Sequence, residues 1–381
     1  AFPAYAAVDY VITGEGEAAL PRLIERLWAG DAPSEKVLAP SPPDLASLKL
    51  PYAAYAEEDL AHRVMYVEAS RGCPFQCAFC LSARDRKVRE FPLDAFFSAM
   101  EELLARGVQH FKFVDRTFNL QASRMAAILN FFRERWTPGG VLHLEIMPER
   151  LDEAMFSLLA DFPAGGLHLE VGVQSFSPAV LAAIGRRQDP EQTEEWLRRL
   201  RRETGAAIHA DLIAGLPRET LSEYAAGFNR IMELDLPEIQ LGILKRLRGA
   251  PLADPEYAES LLFSPAPPYE VVRTAWMSFE ELQELKRFSR YFDLFYNSGH
   301  FPAALPALWA AYDTPFDAFM ALSRQIWRRM GKTHELSLTT LAGQLYEVLC
   351  AAGVPETAAR DLIKQDVHRV PGRKDKADFL V

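Results

Sequence analysis

Short apolar segments alternate with amphipathic helices over residues 61–250, and this alternation constrains the fold more than any other feature of the chain. The apolar runs cover residues 64–67, 111–114, 141–146, 167–173, 207–213 and 239–244. Helical periodicity fills the intervals near residues 93–106, 121–135, 151–161, 190–203 and 219–233. Strands that alternate with helices in this way predict a parallel sheet with helices outside it.

The repeat length suits an open or partial barrel of the (β/α)6 kind, related to the closed (β/α)8 form. In such sheets the chemistry is found at the carboxyl ends of the strands. We therefore expect functional side chains in the loops that follow the apolar runs. The fold class predicted for residues 61–250 is α/β.

The regions on either side of the repeats have different compositions. Residues 1–31 carry one apolar strand, a Gly-Glu-Gly turn at 14–16 and one helix, and the proline-rich residues 32–60 are predicted to be a linker. Beyond residue 251 the strand signal stops, and the capping box of Ser278 and Glu281 opens a helix. Its predicted inner face is Phe279, Leu282, Leu285, Phe288 and Phe292. Further helices near 303–331, 336–351 and 356–365 make residues 251–381 an all-helical extension.

Charge and cysteine usage narrow the function classes. The formal net charge of −10, without a basic tail, gives no support for nucleic-acid binding. No apolar run approaches 18 residues, so we expect no membrane span. Three of the four cysteines lie within eight residues, which indicates metal ligation in a reducing, cytoplasmic environment rather than a disulfide framework. Cys350 lies in an apolar helical stretch and is interpreted as a core thiol.

The cysteine cluster lies in Glu68-Ala-Ser-Arg-Gly-Cys-Pro-Phe-Gln-Cys-Ala-Phe-Cys80, directly after the first predicted strand. The spacings of Cys73, Cys77 and Cys80 let one compact loop surround a cuboidal cluster, in which three thiolates bind three irons. The fourth iron would then have an open position, as catalytic metal sites do. The alternative is a structural zinc site, which needs a fourth ligand, and no other Cys or His occurs between Arg63 and Gln109.

The spacing resembles the signature of the radical S-adenosylmethionine (SAM) superfamily, over roughly residues 61–250. The resemblance implies a [4Fe–4S] cluster on the three cysteines. It also implies that SAM binds the open iron and is cleaved by one electron to methionine and a 5′-deoxyadenosyl radical. Phe79 matches the aromatic residue that lies near the adenine of SAM in that family. The electron donor implied is a flavodoxin or a ferredoxin.

Further motifs resemble the oxygen-independent coproporphyrinogen oxidase group of the same superfamily. By that resemblance, Glu145 in Leu-Glu-Ile-Met-Pro, Gln174 in Gly-Val-Gln-Ser-Phe and Asp211 in Asp-Leu-Ile-Ala-Gly-Leu-Pro are SAM contacts. Arg186, twelve residues after Gln174, matches the arginine that meets the SAM carboxylate. Acids suit the ammonium and the ribose diol of SAM, and a guanidinium suits its carboxylate. The alternative is that Glu145 and Arg186 pair only with each other or with neighbours.

The sequence departs from the family after the second strand, where a glycine-rich turn commonly receives the methionine amine. The chain has Val114-Asp-Arg-Thr-Phe118 at that place. Asp115 and Thr117 are the candidates that would supply oxygens there instead.

Several segments resemble the branch of the superfamily that has an N-terminal cobalamin-binding domain. The stretch Val8-Asp-Tyr-Val-Ile-Thr-Gly-Glu-Gly-Glu17 is similar to the last strand, turn and helix of that Rossmann-like domain. The resemblance implies that residues 1–31 are a remnant of it. The C-terminal blocks at 241–249 and 296–299 resemble the subgroup with an extension of unknown function. The histidine motif that ligates cobalt in that domain does not occur, so cobalamin is expected only with the N-terminal domain that this chain lacks.

The leading hypothesis is a radical SAM enzyme, with cobalamin-dependent methyl transfer in a longer parent protein. One alternative is a cobalamin-free oxidoreductase, and another is a non-catalytic iron–sulfur or zinc scaffold. The sequence names no catalytic residue and no substrate, although Lys245 and Tyr296 are candidates for a substrate pocket.

Overall fold

The structure is a computed structural model that describes residues 7–254, 257 and 260–369. The chain forms two compact units: residues 1–71 together with 89–108, and residues 72–88 together with 109–381. The charged tail beyond residue 369 lies outside the described residues.

The first unit contains short strands and three helices among its described residues. In chain order they are β1 (Val11–Ile12), α1 (Ala19–Trp28), β2 (Val37–Leu38), α2 (Glu57–His62), β3 (Met65–Val67), β4 (Ser70–Arg71), β5 (Arg89–Glu90) and α3 (Leu93–Ala105). Strands β1 and β2 pair in parallel, so the stretch interpreted as a linker contributes a strand. This pairing was not predicted, because two-residue strands held by backbone hydrogen bonds leave no periodic signal in a proline-rich segment.

The Gly-Glu-Gly turn places one carboxylate between two arginines of the first unit. Glu15 accepts hydrogen bonds from Arg89 and, at 2.9 Å, from Arg71. These bonds, with that from Arg89 the strongest influence, lower the pKa of Glu15 below its usual value. Strands β4 and β5 are antiparallel and set Arg71 opposite Arg89. The two ends of the segment 72–88, which carries the cysteines, are therefore held side by side.

The second unit begins with alternating strands and helices. They are β6 (His110–Phe113), α4 (Ala122–Glu134), β7 (Val141–Ile146), α5 (Glu153–Ala160), β8 (Leu167–Gln174), α6 (Pro178–Ala183), α7 (Pro190–Glu203), β9 (Ala207–Ala214), α8 (Leu221–Met232) and β10 (Glu238–Ile243). The five strands are parallel, in the order β10-β9-β8-β7-β6. The predicted α/β class and the alternation of strands with helices are confirmed, with boundary shifts of one or two residues.

The two faces of this sheet differ in polarity because side chains alternate along each strand. Leu142, Leu144 and Ile146 of β7 are almost fully buried, whereas His143 and Glu145 between them are partly exposed. The apolar face packs against helices, as the rings of Phe111 and Phe132 show with centroids 5.0 Å apart. The opposite surface, called the polar face here, carries the following residues: Lys112, His143, Glu145, His168, Glu170, His209, Asp211 and Glu238.

The C-terminal extension is mainly helical but opens with a hairpin. Its elements are β11 (Leu261–Phe263), β12 (Val271–Thr274), α9 (Phe279–Phe292), α10 (Ala304–Ala310), α11 (Pro315–Met330), α12 (Leu338–Ala351) and α13 (Glu356–His368). The antiparallel pair β11–β12 was not part of the all-helical expectation, because strands of three and four residues are too short to show alternation.

Two details of the helical prediction are corrected. The single helix expected near 303–331 is two helices, because Thr314 caps α11 with its side chain and Pro315 occupies the first helical position. On α9 the capping box of Ser278 and Glu281 is confirmed, but Phe279 is 50% exposed. As the first residue of the helix, Phe279 lies outside the buried stripe that begins at Leu282. Within the described part of the chain, no helix combines the length and the apolar character needed to cross a membrane.

Candidate functional site

The cysteine loop of residues 72–88 is closed by backbone contacts. Gly72 has a φ of +90°, and a Cβ on it would lie 2.5 Å from the carbonyl oxygen of Lys87, so only glycine fits. The amide of Cys73 donates to the carbonyl of Asp85 at 2.8 Å. Cys73, Cys77 and Cys80 are free thiols, the first buried and the others partly exposed. Burial raises the pKa of both Cys73 and Cys77.

The loop that follows α6 brings an arginine beside these cysteines. The amide of Ala78 donates to the carbonyl of Ile184 at 2.8 Å. Next to it, Gly185 has a φ of +68°, and a Cβ there would lie 3.0 Å from the carbonyl oxygen of Gln76. This close backbone approach places Arg186 where its charge opposes the rise in the pKa of Cys77. The tertiary structure therefore joins two motifs that are about a hundred residues apart in sequence.

Gln174 and Arg186 converge over the end of strand β8. Gln174 is a non-glycine residue with a φ of +68°, a strained conformation found preferentially at functional sites. A Cβ at Gly172 would lie 2.3 Å from Gln174 Nε2 and 3.6 Å from Arg186 Nη1, so the missing side chain makes room for both. Arg186 donates to the carbonyl of Gly172, and its Nε donates to Gln188 at 2.5 Å. Both predicted residues are buried and share one location.

The two predicted acids lie on the neighbouring strands of the polar face. Asp211 is the register partner of Gly172, and Glu145 is the register partner of Glu170. Burial, aided by the charge of Glu170, raises the pKa of Glu145 to about 7. Burial also raises the pKa of Asp211.

The acids and Arg186 influence each other at a distance. Arg186 lowers the pKa of Glu145 and of Asp211 by its charge. Among the ion pairs of the described residues, however, none joins Glu145 directly to Arg186. Glu145 and Arg186 therefore do not pair with each other, whereas Arg186 does pair with its neighbours Gly172 and Gln188, so that half of the alternative stays open.

The remaining predicted residues lie near the same loop. Thr117 is buried with its Oγ1 3.9 Å from Cys73 Sγ, and its hydroxyl donates to the carbonyl of Arg116 at 2.7 Å. The contact with Cys73 is itself a hydrogen bond, in which either atom could be the donor. Asp115 is 3% exposed, and Phe79 is partly buried next to Cys80 in the chain.

Two acidic residues were missed by the sequence analysis. Glu149 follows β7 in the same motif as Glu145, and burial raises its pKa while the charge of Arg186 lowers it. Glu219 is 1% exposed and accepts from the amide of Gly215 at 3.1 Å, which fixes the loop after Asp211. An acid directly behind a predicted strand is the signal that could have identified Glu149.

Buried acceptors without partners indicate what the site would bind. Both carboxylate oxygens of Glu149 and the Oε1 atom of Gln174 are buried and have no hydrogen-bond partner. An unsatisfied buried polar group is costly, and such groups commonly mark a binding position. All three atoms are acceptors, so the missing partner carries donors such as an ammonium group or hydroxyls.

The substrate-pocket candidates have different surroundings. Tyr296 donates its hydroxyl to the carbonyl of Leu236 at 2.6 Å and stacks on Phe292, so it is a satisfied core aromatic. Lys245 lines a cavity of about 650 Å³ together with Lys286, Arg287 and Trp327. The lining also includes Glu270 and Asp293, which form ion pairs with Lys286 and Arg290.

Strands β6 to β9, the cysteine loop and the strand-end residues belong to a segment that matches a radical SAM domain. Residues 67–229 match the family model described as Radical SAM superfamily. Residues 259–381 match a second model, described as Protein of unknown function (DUF4080).

Curated relatives share the domain at low identity. The ribosomal protein uS12 methylthiotransferase RimO of Pelobacter propionicus is 25% identical over 196 residues, covering 49% of this chain and 44% of the relative. The tRNA-2-methylthio-N(6)-dimethylallyladenosine synthase of Anaeromyxobacter dehalogenans is 27% identical over 292 residues, covering 74% of this chain and 56% of the relative. The chain spans about half the length of these relatives.

Solved structures share the fold. The cobalamin-dependent SAM radical enzyme OxsB with aqua-cobalamin bound superimposes with a TM-score of 0.61 at 12% identity, over 99% of this chain and 68% of that one. The radical SAM methyltransferase TsrM from Kitasatospora setae, with tryptophan and a SAM analogue bound, superimposes with a TM-score of 0.56 at 19% identity. The match covers 76% of this chain and 62% of that one. At these identities the likeness establishes the fold alone.

Proposed function

We propose that this chain is an enzyme that holds a [4Fe–4S] cluster on Cys73, Cys77 and Cys80 and cleaves SAM to begin radical chemistry. The observation that carries the proposal is the convergence of three free thiols, Arg186 and unsatisfied buried acceptors at one end of the sheet. A reduced cluster of this kind supplies the electron that splits SAM into methionine and a 5′-deoxyadenosyl radical.

The three thiols suit a cluster better than a single zinc ion. A zinc ion binds sulfur at about 2.3 Å, which brings the ligand atoms of a tetrahedral site within about 4 Å of one another. Among the described residues, the group of three ligand atoms that gather within 4.8 Å does not involve Cys73, Cys77 or Cys80. A cuboidal cluster spreads its thiolates further apart, because each binds a different iron.

The residues of the site divide the recognition of SAM among them. Arg186 offers a guanidinium, held by Gly172 and Gln188, for the carboxylate of SAM. Glu145 and Glu149 offer carboxylates to its ammonium group, and Asp211 and Gln174 offer acceptors to its ribose hydroxyls. Burial of these groups excludes water and so strengthens each contact.

The affinity for SAM should rise with pH, because Glu145 has a pKa of about 7 before SAM binds. A cationic ammonium group binds the carboxylate form and therefore releases the proton of Glu145. Below pH 7 that proton must be removed at a cost, so the affinity at pH 6 should be about tenfold lower than at pH 8. Calorimetric titration of the reconstituted chain at both pH values measures this difference.

The control for the pH effect is Glu145→Gln, which keeps the shape but has no proton to release. It should bind SAM more weakly at pH 8 and with little change down to pH 6. A wild-type affinity that is the same at pH 6 and pH 8 would show that Glu145 does not face the ammonium group.

The central test is product analysis of the anaerobic, reconstituted chain with SAM and a strong reductant. The proposal expects 5′-deoxyadenosine and methionine in equal amounts, and four irons with labile sulfide per chain. No SAM cleavage, with zinc that is lost when Cys73, Cys77 or Cys80 is replaced by alanine, would instead establish the non-catalytic scaffold. In a cell, a flavodoxin or a ferredoxin would take the place of the chemical reductant.

The finer proposal is that a longer parent protein adds cobalamin-dependent methyl transfer. The fold likeness to OxsB and TsrM supports it, since OxsB covers 99% of this chain. The alternative within the same class is a cobalamin-free oxidoreductase that uses the deoxyadenosyl radical alone.

The 381-residue chain by itself is expected to bind no cobalamin, and a longer parent is expected to bind it. In the described part of the first unit, β1 pairs only with β2, and a corrin ring needs a cleft above several parallel strands. Visible spectra after incubation with hydroxocobalamin and desalting compare the two proteins. Stoichiometric cobalamin on the 381-residue chain would contradict the expectation, and none on the parent would favour the cobalamin-free oxidoreductase.

A further inference from the structure

A second cluster of ligand-type side chains lies on the polar face, at the amino ends of the strands. His143, His168 and His209 come from the neighbouring strands β7, β8 and β9. The register pairs His143 with His168, whose rings stack at 4.4 Å, and pairs His209 with Glu238 of β10. Four parallel strands thus direct imidazole and carboxylate groups into one region.

The ligand atoms of His168, His209 and Glu238 lie within 4.8 Å of one another. The Nε2 atom of His168 is 3.7 Å from one carboxylate oxygen of Glu238, and the Nδ1 atom of His209 is 3.6 Å from the other. These separations are longer than hydrogen bonds, so the groups face each other without being joined. His168 Nε2 is in addition a buried atom with no hydrogen-bond partner.

We propose that His168, His209 and Glu238 bind a divalent transition-metal ion of the zinc class. Zinc takes imidazole nitrogen at about 2.0–2.1 Å and carboxylate oxygen at about 2.0–2.2 Å, so its ligand atoms lie about 3.3 Å apart. The two separations to Glu238 need to shorten by a few tenths of an ångström, and the whole group, now within 4.8 Å, must contract to bind one ion. Two imidazoles and a carboxylate leave a fourth position for water.

The surroundings of His209 resemble those of a metal-binding histidine. Its second ring nitrogen, Nε2, is 3.1 Å from Oδ1 of Asp211, although neither atom has a hydrogen-bond partner among the described residues. Histidines that bind metal through one nitrogen commonly donate the other N–H to a carboxylate, which fixes the tautomer and the ring orientation. His209 is 8% exposed, so its ring is already held in place before an ion binds.

The three proposed zinc ligands lie at the amino ends of the strands, although Asp211, one of the residues proposed to contact SAM, lies beside His209. His168 is the second residue of β8 and Gln174 its last, six residues further on. At about 3.3 Å per residue the two ends are about 20 Å apart. A zinc ion there would crosslink β8, β9 and β10 at their amino ends, and it would not replace an iron of the cluster.

The test is equilibrium dialysis of the cluster-reconstituted full chain against zinc chloride, with zinc and iron both counted by elemental analysis. The wild type should hold one zinc per chain with its iron content unchanged. His168→Ala and His209→Ala should weaken zinc binding roughly 100-fold or more while keeping iron. Glu238→Gln, a conservative change at a partly exposed position, should weaken it about tenfold and serves if either alanine variant fails to fold.

The matched control is His143→Ala, since His143 lies on the same face but binds Glu170 at 2.8 Å and is not one of the three ligands. It should hold zinc as the wild type does. Equal zinc binding by the wild type and by both ligand variants overturns the inference, as does a wild type with full iron and no zinc. Full iron without zinc refutes the zinc site but leaves the proposed SAM chemistry intact. Zinc without iron refutes the SAM chemistry but leaves the zinc site intact.

Discussion

Cys77→Ala abolishes both the iron–sulfur cluster and the cleavage of SAM, if the proposed function holds. Each of Cys73, Cys77 and Cys80 would bind a separate iron, and no spare thiol or imidazole lies in the loop of residues 72–88. The fall in activity should therefore be complete rather than partial. Iron and sulfide content, together with the yield of 5′-deoxyadenosine, measure the effect on each single variant.

Cys350→Ala is the matched control for this prediction. Cys350 lies in α12, in the helical extension, and is likewise a free thiol. The variant should keep four irons and wild-type cleavage. A Cys77→Ala chain that retained a full cluster and cleaved SAM would refute the assignment of the cysteines.

Arg186→Ala should retain the cluster and lose much of the affinity for SAM. Its guanidinium is buried beside Gln174 and Gly172, where a charge-assisted hydrogen bond to a carboxylate contributes about 1.5–3 kcal/mol. That loss corresponds to an affinity about 10- to 100-fold weaker. Gln174→Ala should reduce the affinity as well, but by less, since Gln174 is uncharged. Calorimetric titration with SAM measures both variants.

Arg187→Ala is the control, because Arg187 is the exposed neighbour of Arg186 and should bind SAM normally. Arg186 also holds the carbonyl of Gly172, so a loss of iron in Arg186→Ala would indicate a structural role. Arg186→Lys separates the effect of charge from that of shape. Its affinity for SAM should lie between those of the wild type and Arg186→Ala, since lysine offers a single ammonium group. Wild-type affinity in Arg186→Ala and Gln174→Ala would show that the strand-end assignment is wrong.

The strands and helices of the repeat were predictable because each buries a continuous apolar face. Strand β7 has the same bounds in the prediction and the structure, and its alternation of Leu142, Leu144 and Ile146 with polar residues is visible in the chain. The strands that were not predicted, such as β2, β11 and β12, have two to four residues. Their pairing depends on backbone hydrogen bonds, which every residue type can make.

The sequence alone predicted the three cysteines as ligands, and it indicated the α/β class and the likeness to the radical SAM superfamily, because these follow from local spacing and from periodicity along the chain. Only the tertiary structure decided which polar residues face the same space. Glu149 was recognised as part of the site through its unsatisfied oxygens, and the group of His168, His209 and Glu238 through the register of three strands. Contacts between residues distant in sequence depend on strand order and register. Neither can be deduced directly from a single amino-acid sequence.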